Sequence, residues 1–538
     1  MRRGVGWGWF GAALLLAAAP TPARADELMI RVDFERPEQV QRLADLGIDI
    51  WEVDRDAFRL LARVRPEQLD QLQALGFRAW IDWEATAQFP SGVRVPPGYP
   101  CYRTFAQGAA DLAAAAAAHP DLVSLLDIGD AWETSHGGPQ RDLWVARLTN
   151  SAVPGPKPAF FLVAEHHARE MTTAELAHDF LDWLLAGHGS NPVATFLLDR
   201  RIIYIMPWSN PDGRVRTESS ISFWRKNTDD DDGCVVAGSV GTDLNRNYAY
   251  QWGLPSGSSS DPCSTTYRGP AGASEPEVSA LQGFIQSIFP SGAGMLISLH
   301  SYGNYVLYPW GYTGAAAPAE AQLDQVARKL AQFNGYQRGQ PVELLFYTAS
   351  GTTDDWSYGA LGVPSFTFEC GEAFYQNCAD LPGILNENRS AFAYAGRIAD
   401  APYAHAAGPD ASGASVVPAA AVVGAIVQLG ATVSDQLSGS QSVAAAEAYI
   451  DLPPEAGGTP LAMLAADGAF DEASEQVGLD LDTAGIPPGR HLILIRGVDA
   501  GGNAGPLDAV FLELSAAPNL VTGAAPGGLS RIRAHFGP

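Results

Sequence analysis

Residues 160–170 read FFLVAEHHARE, a short apolar run followed at once by chemically active side chains. A run such as 160–164, apolar throughout, is typical of a strand that is covered on both faces. His167 and Glu170 are three residues apart, so a turn or a helix start places them side by side. An imidazole and a carboxylate in that arrangement can share one metal ion. The stretch therefore predicts a buried strand whose carboxyl end carries a metal site.

The same kind of strand recurs between residues 99 and 402. Short apolar runs at 202–207, 295–299 and 365–368 predict further strands, and amphipathic segments such as 174–185 predict helices between them. Apolar strands interleaved with helices are typical of an α/β fold built around a mixed sheet. We therefore expect one α/β domain over residues 99–402.

A metal site needs more ligands than the His-x-x-Glu pair supplies. His300 follows the predicted strand 295–299, and the ends of strands are where α/β proteins build their sites. With His167 and Glu170 it forms a two-histidine, one-glutamate set, the composition of catalytic zinc sites that keep a fourth position open. His166 has an arginine rather than a carboxylate three residues later, so we interpret it as a neighbour and not as a ligand.

The start of the chain predicts export. Arg2 and Arg3 precede an apolar stretch at 5–19, and an Ala-Arg-Ala cleavage site occupies 23–25. These are the parts of a secretory signal peptide, which we assign to residues 1–25. No later stretch approaches about 18 uninterrupted apolar residues, so stable membrane insertion is not expected. We predict a secreted protein, extracellular or periplasmic.

Residues 26–98 contain an internal repeat. Segments 37–47 and 66–76 both begin with Pro-Glu-Gln, carry leucines at helical spacing and end at glycine. Strand-like runs flank each copy, at 29–34, 48–53, 58–64 and 77–81. Two strand-helix-strand units of this size predict a small ferredoxin-like α+β domain. A proline-rich and glycine-rich linker follows, and Arg94 within it is an expected protease target.

The composition changes after residue 402. Residues 403–518 are rich in Ala, Gly, Val and Ser, with strand-like runs such as 491–498 and turns such as 501–503. This pattern predicts an immunoglobulin-like β-sandwich. Residues 519–538 have the composition of a flexible tail.

The charge of the 538-residue chain restricts its partners. With 34 basic and 60 acidic side chains the formal net charge is −26, which argues against nucleic acids and anionic membranes as partners. We expect a monomer. The acidic loop 229–232, which precedes Gly233, offers oxygen ligands for Ca²⁺, but a solvated loop is the more ordinary interpretation.

Five cysteines are available to an exported chain for disulfides. Cys234 with Cys263 and Cys370 with Cys378 are plausible pairs, which would leave Cys101 unpaired. Spacing alone leaves that connectivity open.

Further motifs follow the metal ligands in a fixed order: Trp224-Arg225, Asp243-Leu244-Asn245-Arg246, Ser301-Tyr302, Tyr347 and Glu369. Together with His167, Glu170 and His300, this order resembles the zinc carboxypeptidases related to pancreatic carboxypeptidases A and B and their secreted bacterial homologues. The resemblance extends over about three hundred residues.

The resemblance implies one zinc ion held by His167, Glu170 and His300. It implies that Glu369 is the catalytic glutamate, which accepts a proton from the attacking water and returns it to the departing amine. It also implies that Arg225 stabilises the oxyanion, a role worth about 3–4 kcal/mol for a well-placed donor. Each side chain has the chemistry that its role needs.

The same resemblance assigns substrate binding. Asn245 and Arg246 match the pair that grips the terminal carboxylate, for which a guanidinium offers a planar fork. Tyr347 matches a mobile tyrosine, and Tyr302 lines the site after a cis peptide bond. Asp243 matches a residue that orients the first zinc histidine.

The resemblance also bears on specificity. The residue seven positions after Tyr347 lies at the base of the pocket for the C-terminal side chain, and here it is Asp354. A buried carboxylate there pairs with Lys or Arg, as in carboxypeptidase B, unless Asp354 turns away to cap the following helix. Val342 matches a pocket-wall position that is smaller in B-type enzymes. We predict a basic or a broad preference.

The implied function is a secreted exopeptidase that acts on peptide and protein C-termini and is made as a zymogen. Residues 26–98 resemble the family's activation segment, and the Cys234–Cys263 pair resembles its disulfide. Two alternatives stay open: a zinc amidohydrolase acting on small acyl-amino acids or cell-wall peptides, and a binding protein that has kept the fold without activity.

Overall fold

The computed structural model describes residues 27–88, 100–219, 223–236 and 238–516. Its α-helices are α1 Pro37–Asp45, α2 Pro66–Ala74, α3 Trp83–Gln88, α4 Phe105–Ala118, α5 Trp132–Ser135, α6 Met171–Gly187, α7 Pro192–Arg200, α8 Pro211–Ser219, α9 Pro276–Ile288, α10 Glu320–Ala331, α11 Pro341–Leu344, α12 Thr353–Leu361, α13 Leu381–Ile398 and α14 Pro402–Ala407. Short 3₁₀ helices lie at Leu244–Arg246 and Pro454–Ala456.

The strands are β1 Leu28–Asp33, β2 Asp49–Asp54, β3 Arg59–Val64, β4 Arg78–Ile81, β5 Val123–Asp130, β6 Asp142–Leu148, β7 Ala159–Ala164, β8 Ile202–Met206, β9 Met295–His300, β10 Tyr305–Leu307, β11 Gln337–Gly339, β12 Ser365–Glu369, β13 Asp410–Val417, β14 Ala420–Val422, β15 Ile426–Ser434, β16 Val443–Ile450, β17 Leu461–Ala465, β18 Ser474–Asp482, β19 Gly489–Asp499 and β20 Asp508–Ser515. The predicted signal peptide, the Arg94 linker site and the predicted tail lie outside the described residues.

The chain divides into two compact units, of which the first comprises Met1–Glu35 and Ile48–Phe89. Its described part contains a four-stranded sheet in the order β2-β3-β1-β4, with every neighbouring pair antiparallel. Each strand begins and ends within one residue of the run that predicts it. The antiparallel α+β arrangement that the repeat predicts is therefore present here.

The second unit comprises Arg36–Gly47 and Pro90–Pro538, and its α/β part is built on an eight-stranded sheet in the order β11-β10-β12-β9-β7-β8-β6-β5. The four central strands, β12, β9, β7 and β8, run parallel, whereas β6 and β10 pair antiparallel with their inner neighbours. The predicted mixed sheet is confirmed.

Strand β7 is covered on both faces, as its apolar sequence predicts. Phe160 and Leu162 belong to one buried hydrophobic cluster, and Phe161 and Val163 belong to another on the opposite face. Alternation along a strand places these residues on opposite sides of the sheet. The carboxyl end of β7 is thus held rigidly between two packed layers.

The C-terminal strands form an all-β region in the order β13-β15-β18-β17-β16-β19-β20-β14. Strand β17 pairs with β16 through its first residues and with β18 through its last, so it joins two groups of strands. Val427 and Val433, on the same face of β15, share a buried cluster with Ile493 and Ile495 of β19. Two groups of strands that enclose one core agree with the predicted β-rich region.

This β region shares a core with the α/β part of the same unit. Tyr449, Leu494 and Ala509 lie in one buried cluster with Phe196 and Leu197 of helix α7. If either the β region or the α/β part were removed, water would reach the apolar side chains that this cluster buries. The C-terminal strands are therefore integral to the packing of the α/β part.

Buried ion pairs reinforce the shared core. Arg201, 1% exposed, contacts Asp400 at 2.8 Å and Glu455 at 3.1 Å. Lys329, fully buried in α10, contacts Asp410 at 2.8 Å, at the start of β13. A buried charge that loses its partner costs about 3–5 kcal/mol. Asp400 belongs to the α/β part, whereas the pairs Arg201–Glu455 and Lys329–Asp410 need both parts of the unit.

One predicted disulfide is wrong. Cys234 bonds to Cys263 as predicted, but Cys378 bonds to Cys101, and Cys370 is a buried free thiol. Cys370 directly follows β12 and its sulfur lies inside the core, 3.9 Å from an oxygen of Asn388. Cys378 lies at the far end of the loop that follows, where the segment beginning at Cys101 packs. Cys370 and Cys378 are thus close in sequence, but their side chains point to different places and cannot form a disulfide.

The acidic loop 229–232 is only partly solvated, because Asp229 is 7% exposed and lies close to the buried Glu275. The only group of at least three His, Cys, Asp or Glu side chains that could hold a metal ion among the described residues is elsewhere, at His167, Glu170 and His300. Among the described residues, no helix is both long and apolar enough to cross a membrane.

Glu277, at the start of α9 and fully buried, provides a pH-dependent test of this region. Burial, with repulsion from Glu275, raises the pKa of Glu277 to about 8. Its contribution to stability is therefore complete below its ordinary pKa and is lost as the pH rises through about 8. We expect Glu277→Gln, which mimics the protonated acid, to gain on the order of 2 kcal/mol over the wild type between pH 5 and pH 8.

Thermal unfolding at several pH values measures this gain. The matched control is Glu472→Gln, the same substitution at an exposed position of the β region, which should change the melting temperature much less than Glu277→Gln does. A Glu277→Gln advantage that is the same at pH 5 and pH 8 would contradict the assignment.

Candidate active site

Two parallel strands bring the predicted metal ligands together. His300 ends β9, and His167 and Glu170 follow the end of its neighbour β7. Nδ1 of His167 lies 2.7 Å from one oxygen of Glu170, Nδ1 of His300 lies 3.0 Å from the other, and the two nitrogens are 3.1 Å apart. The predicted ligands therefore converge at the carboxyl edge of the sheet.

This geometry fits a zinc ion. The three side chains belong to residues at most 4% exposed, so their donor atoms are withdrawn from solvent. Two imidazole nitrogens that face each other at 3.1 Å repel unless a proton or a cation lies between them. Two nitrogens and one carboxylate oxygen are the donor set of catalytic zinc sites.

Asp243 links the predicted metal ligand His167 to Arg225. Its Oδ1 lies 3.1 Å from Nε2 of His167, and its Oδ2 accepts hydrogen bonds from Nε and Nη2 of Arg225 at 3.1 and 2.8 Å. A proton on Nε2 of His167 leaves Nδ1 available as the metal donor. Nη1 of Arg225 lies 4.0 Å from Glu170, so the guanidinium faces the metal donors.

Burial and neighbouring charges shift the pKa values of the ionisable side chains in this group. Burial opposes ionisation of Asp243, but Arg225 and His167 outweigh it and hold the pKa of Asp243 well below its usual value. Burial likewise opposes ionisation of Glu170, and the two histidines lower its pKa. Burial also lowers the pKa of His167, which keeps this imidazole neutral at physiological pH. Burial also opposes protonation of His300, but the adjacent Glu170 outweighs it and raises the pKa of His300. The anionic carboxylates and the neutral His167 are in the states that a metal cation requires, whereas a metal would have to displace a proton from His300.

Glu369 ends β12 directly opposite His300 in the register of the parallel pair. Its side chain keeps some exposure to solvent, but the surrounding protein strips water from the carboxyl and, with repulsion from Glu170, raises its pKa to about 8. His300 and Arg225 oppose the increase. A carboxyl with a raised pKa beside the metal donors can accept and release a proton near neutral pH.

Asn245 and Arg246 lie in the 3₁₀ helix that follows Asp243. Both are 7% exposed, and Nη1 of Arg246 donates to the Asn245 carbonyl at 2.8 Å. Within the described residues, Nε of Arg246 is buried and has no hydrogen-bond acceptor. A buried, unsatisfied guanidinium N–H is costly, and a bound carboxylate would satisfy it.

The Ser301–Tyr302 peptide bond is cis, as the resemblance implies. The backbone N–H of Ser301 donates to Glu170 at 3.2 Å, and the Tyr302 ring packs edge-on against Phe374 at 5.0 Å. Tyr302 thus lies immediately beside the metal donors. A second cis bond, Pro309–Trp310, has no signal in the sequence.

Tyr347 and Asp354, which are predicted to bind substrate, lie before and within helix α12. Tyr347 is on the loop between α11 and α12, directly after Phe346, whose φ is +63°. Asp354 lies in the first turn of α12 and is 4% exposed. Its neighbour Asp355 accepts hydrogen bonds from two backbone N–H groups of the segment after β10, and burial and the adjacent Asp354 raise the pKa of Asp355 well above its usual value. The start of α12 is thus fixed, whereas Tyr347 lies on the loop that leads to it.

Two features of the site are not evident in the sequence. Thr353 donates both its backbone N–H and its hydroxyl to Oδ1 of Asn245, each at 2.9 Å. His166 contacts the same hydroxyl at 3.0 Å and is fully buried. The adjacency of His166 to a ligand is the only signal in the sequence. Its contacts depend on the placement of α12 beside the 3₁₀ helix.

Comparisons with known proteins show which family the chain is similar to. A family model described as zinc carboxypeptidase matches residues 109–390. A zinc carboxypeptidase of Saccharothrix mutabilis subsp. capreolus is 32% identical over 382 residues, which are 66% of this chain and 83% of that protein. Carboxypeptidase A2 of Mus musculus is 36% identical over 266 residues, 48% of this chain and 60% of that protein, so the chain spans less than two thirds of the mammalian relative.

Solved structures show the same fold. The carboxypeptidase A of Helicoverpa armigera superposes with a TM-score of 0.59 at 22% identity and covers 70% of this chain and 98% of that one. Thrombin activatable fibrinolysis inhibitor superposes with a TM-score of 0.56 at 24% identity, covering 70% of this chain and 99% of its own. By its sequence motifs, its family match and its fold, the chain belongs to the zinc carboxypeptidase family of metallopeptidases.

Proposed function

We propose that this protein is a secreted zinc exopeptidase that hydrolyses the C-terminal peptide bond of peptides and proteins. The observation that carries the proposal is the position of Asn245 and Arg246 two and three residues after Asp243, which contacts the metal ligand His167. Side chains that bind a terminal carboxylate, placed next to a residue that contacts a metal ligand, select the last peptide bond of a chain over internal bonds.

In this proposal, some residues bind the substrate and others take part in the hydrolysis. Arg246 and Asn245 bind the terminal carboxylate, and Tyr347 closes over it from its loop. Glu369 accepts the proton of the attacking water and passes it to the departing amine. Arg225, fixed by two hydrogen bonds to Asp243, stabilises the negative charge that develops on the scissile oxygen. His167, His300 and Glu170 would hold a single zinc ion, which would supply Lewis acidity when bound.

Release of C-terminal residues with and without a zinc chelator tests this function. We expect release from peptides to stop on chelation and to return with added zinc. The amidohydrolase alternative predicts the opposite substrate order, with small acyl-amino acids or cell-wall peptides cleaved faster than ordinary peptides. Peptides that are not cleaved in the presence of zinc would contradict the proposal.

Asp354 is proposed to set the preference for the C-terminal side chain. Its carboxylate is buried in α12, where a cationic Lys or Arg side chain would pair with it and an apolar guest would leave it unpaired. We expect Asp354→Asn to lower kcat/KM for peptides ending in Lys or Arg by about 10²-fold, as loss of one charge-assisted contact predicts. For peptides ending in Leu or Phe, kcat/KM should stay the same or rise, because they no longer leave a buried charge unpaired.

A kcat/KM series over C-terminal Lys, Arg, Leu and Phe measures this preference. Val342→Ala, on the proposed pocket wall, is the control: it changes the volume of the pocket without changing its charge. A wild-type preference of tenfold or more for Leu or Phe would rule out the basic specificity.

Residues 26–98 are proposed to be an activation segment. Helix α1, from the first repeat, groups with the unit that holds the site, and Oε1 of Gln41 accepts hydrogen bonds from the Thr348 backbone N–H at 2.8 Å and hydroxyl at 3.2 Å. Thr348 directly follows Tyr347, so α1 contacts the loop that must move. Proteolysis between residues 89 and 99 should raise activity, and full activity of the intact chain would contradict an inhibitory role.

Secretion completes the proposed function. The disulfides Cys234–Cys263 and Cys101–Cys378 form and persist in oxidising compartments, which supports export by the predicted signal peptide. Cys101 lies after the expected cleavage region, so its bond to Cys378 would survive activation. We propose that the protein acts as a monomer.

A further inference from the structure

His166 is buried behind the metal site and contacts two hydroxyl groups. Its Nε2 lies 2.8 Å from the Tyr248 hydroxyl and 3.0 Å from Oγ1 of Thr353. All three residues are fully buried. The His166 ring also lies nearly parallel to the ring of His300, with centroids 5.6 Å apart. Burying an imidazole costs free energy that these hydrogen bonds offset, so the two hydroxyl contacts fix the position of the ring.

The other ring nitrogen of His166 fixes its tautomer. Nδ1 is buried and has no hydrogen-bond partner among the described residues. A buried N–H without an acceptor costs more than a bare lone pair, so the proton belongs on Nε2. Nε2–H then donates to the hydroxyl cluster of Tyr248 and Thr353. His166 is therefore a donor to this cluster.

The direction of the remaining bonds follows from this donor. Thr353 accepts at Oγ1 and so directs its own hydroxyl proton to Oδ1 of Asn245, at 2.9 Å. The Thr353 backbone N–H donates to the same oxygen at 2.9 Å. With its oxygen held by two donors, the Asn245 amide turns its NH₂ group away from Thr353. Nδ2 lies 3.2 Å from Nε2 of His300, which carries the proton when Nδ1 of that ring is the metal donor, so this contact is not a hydrogen bond. The amide N–H groups are left for a ligand.

We propose that His166 is a positioning residue for substrate binding, which orients the Asn245 amide through Thr353 so that its N–H donors face the terminal carboxylate. The inference rests on the proposed function of Asn245. An amide turned the other way would present a carbonyl oxygen to an anionic ligand. His166 therefore sets affinity for the free carboxylate and leaves the proton transfer at Glu369 unaffected.

Two substitutions separate this role from packing. His166→Phe keeps an aromatic ring against His300 but removes the donor, whereas His166→Gln places an amide Nε2 donor near the position of the imidazole Nε2. We expect His166→Phe to raise KM for benzoylglycyl-arginine or benzoylglycyl-leucine about tenfold, with kcat within about threefold of wild type. His166→Gln should restore KM to within about threefold of wild type.

Binding is measured separately by calorimetry on the zinc-loaded Glu369→Gln protein. His166→Phe should weaken binding of the free acid about tenfold and leave binding of the matching C-terminal amide unchanged, because the amide lacks the anion that Asn245 recognises. Equal losses for acid and amide, or equal effects of Phe and Gln, would overturn the proposal. If the wild type cleaves no peptide, the proposed function is wrong, whereas the acid-to-amide ratio still reports on His166.

Thr353→Val provides an independent variant if His166→Phe does not fold. It removes the hydroxyl and keeps the branched shape, so it should raise KM as His166→Phe does. The two changes combined should cost no more than either alone, since both break the same chain of hydrogen bonds. Additive effects would contradict the chain.

Discussion

Replacing Glu369 by Gln is expected to lower kcat/KM for peptide hydrolysis by at least about 10³-fold, because a well-placed general base contributes about 10²–10⁴ and its return of the proton to the leaving amine is lost as well. Glutamine has nearly the same shape as glutamate and cannot accept the proton. The site around it should remain intact, since Glu369 is not among the converging metal donors.

Zinc content and substrate affinity are the controls for Glu369→Gln. One zinc ion per chain and a dissociation constant near the wild-type KM would show that only the chemical step has been lost. His167→Ala is the contrasting variant: it should lose zinc together with activity, because it removes one of three donor side chains. Hydrolysis at the wild-type rate in Glu369→Gln would exclude the proposed base.

Truncation after Gly408 is expected to abolish folding of the α/β part. The deletion removes Leu494 and Ala509 from the cluster that covers Phe196 and Leu197, and it leaves Lys329 buried without its partner at the start of β13. Exposure of several large apolar side chains together with an unpaired buried charge exceeds the stability of an ordinary domain, about 5–15 kcal/mol. Soluble yield and a cooperative thermal transition are the measurements.

A matched pair of point variants makes the truncation interpretable. Leu494→Asp places a charge in the shared cluster, whereas Leu464→Asp places it on β17 at a residue that is 71% exposed. The first should lower Tm by more than about 10 °C, as expected for an unpaired charge in a core, and the second should leave Tm nearly unchanged. A truncated protein that is folded and active would show that the β region is dispensable.

The sequence predicts the site better than it predicts the contacts around it. His167 and Glu170 are linked by local spacing, and His300 ends an apolar strand, so short-range pattern places all three at one sheet edge. Glu369 needs the register of β12 against β9, which the sequence does not encode in any short window. Its assignment depends on the order of the family's motifs, not on spacing.

Features that depend on side-chain direction cannot be read from the sequence. Cys370 and Cys378 are close in the chain, yet one points into the core and the other bonds to Cys101, 277 residues away in sequence. His166 gives no sign of its contact with Thr353, because these residues are 187 positions apart. Likewise, the change of composition near residue 402 indicates a new β region but not a core shared with α7.

The most direct test of exopeptidase activity compares a peptide that ends in a free carboxylate with the same peptide ending in an amide. Both are incubated with protein cleaved between residues 89 and 99, and products are identified by mass spectrometry. We expect stepwise loss of single C-terminal residues from the free acid only, stopped by a zinc chelator and restored by zinc. Internal cleavage, equal cleavage of the amide, or release that survives metal removal would contradict a carboxylate clamp beside a catalytic zinc.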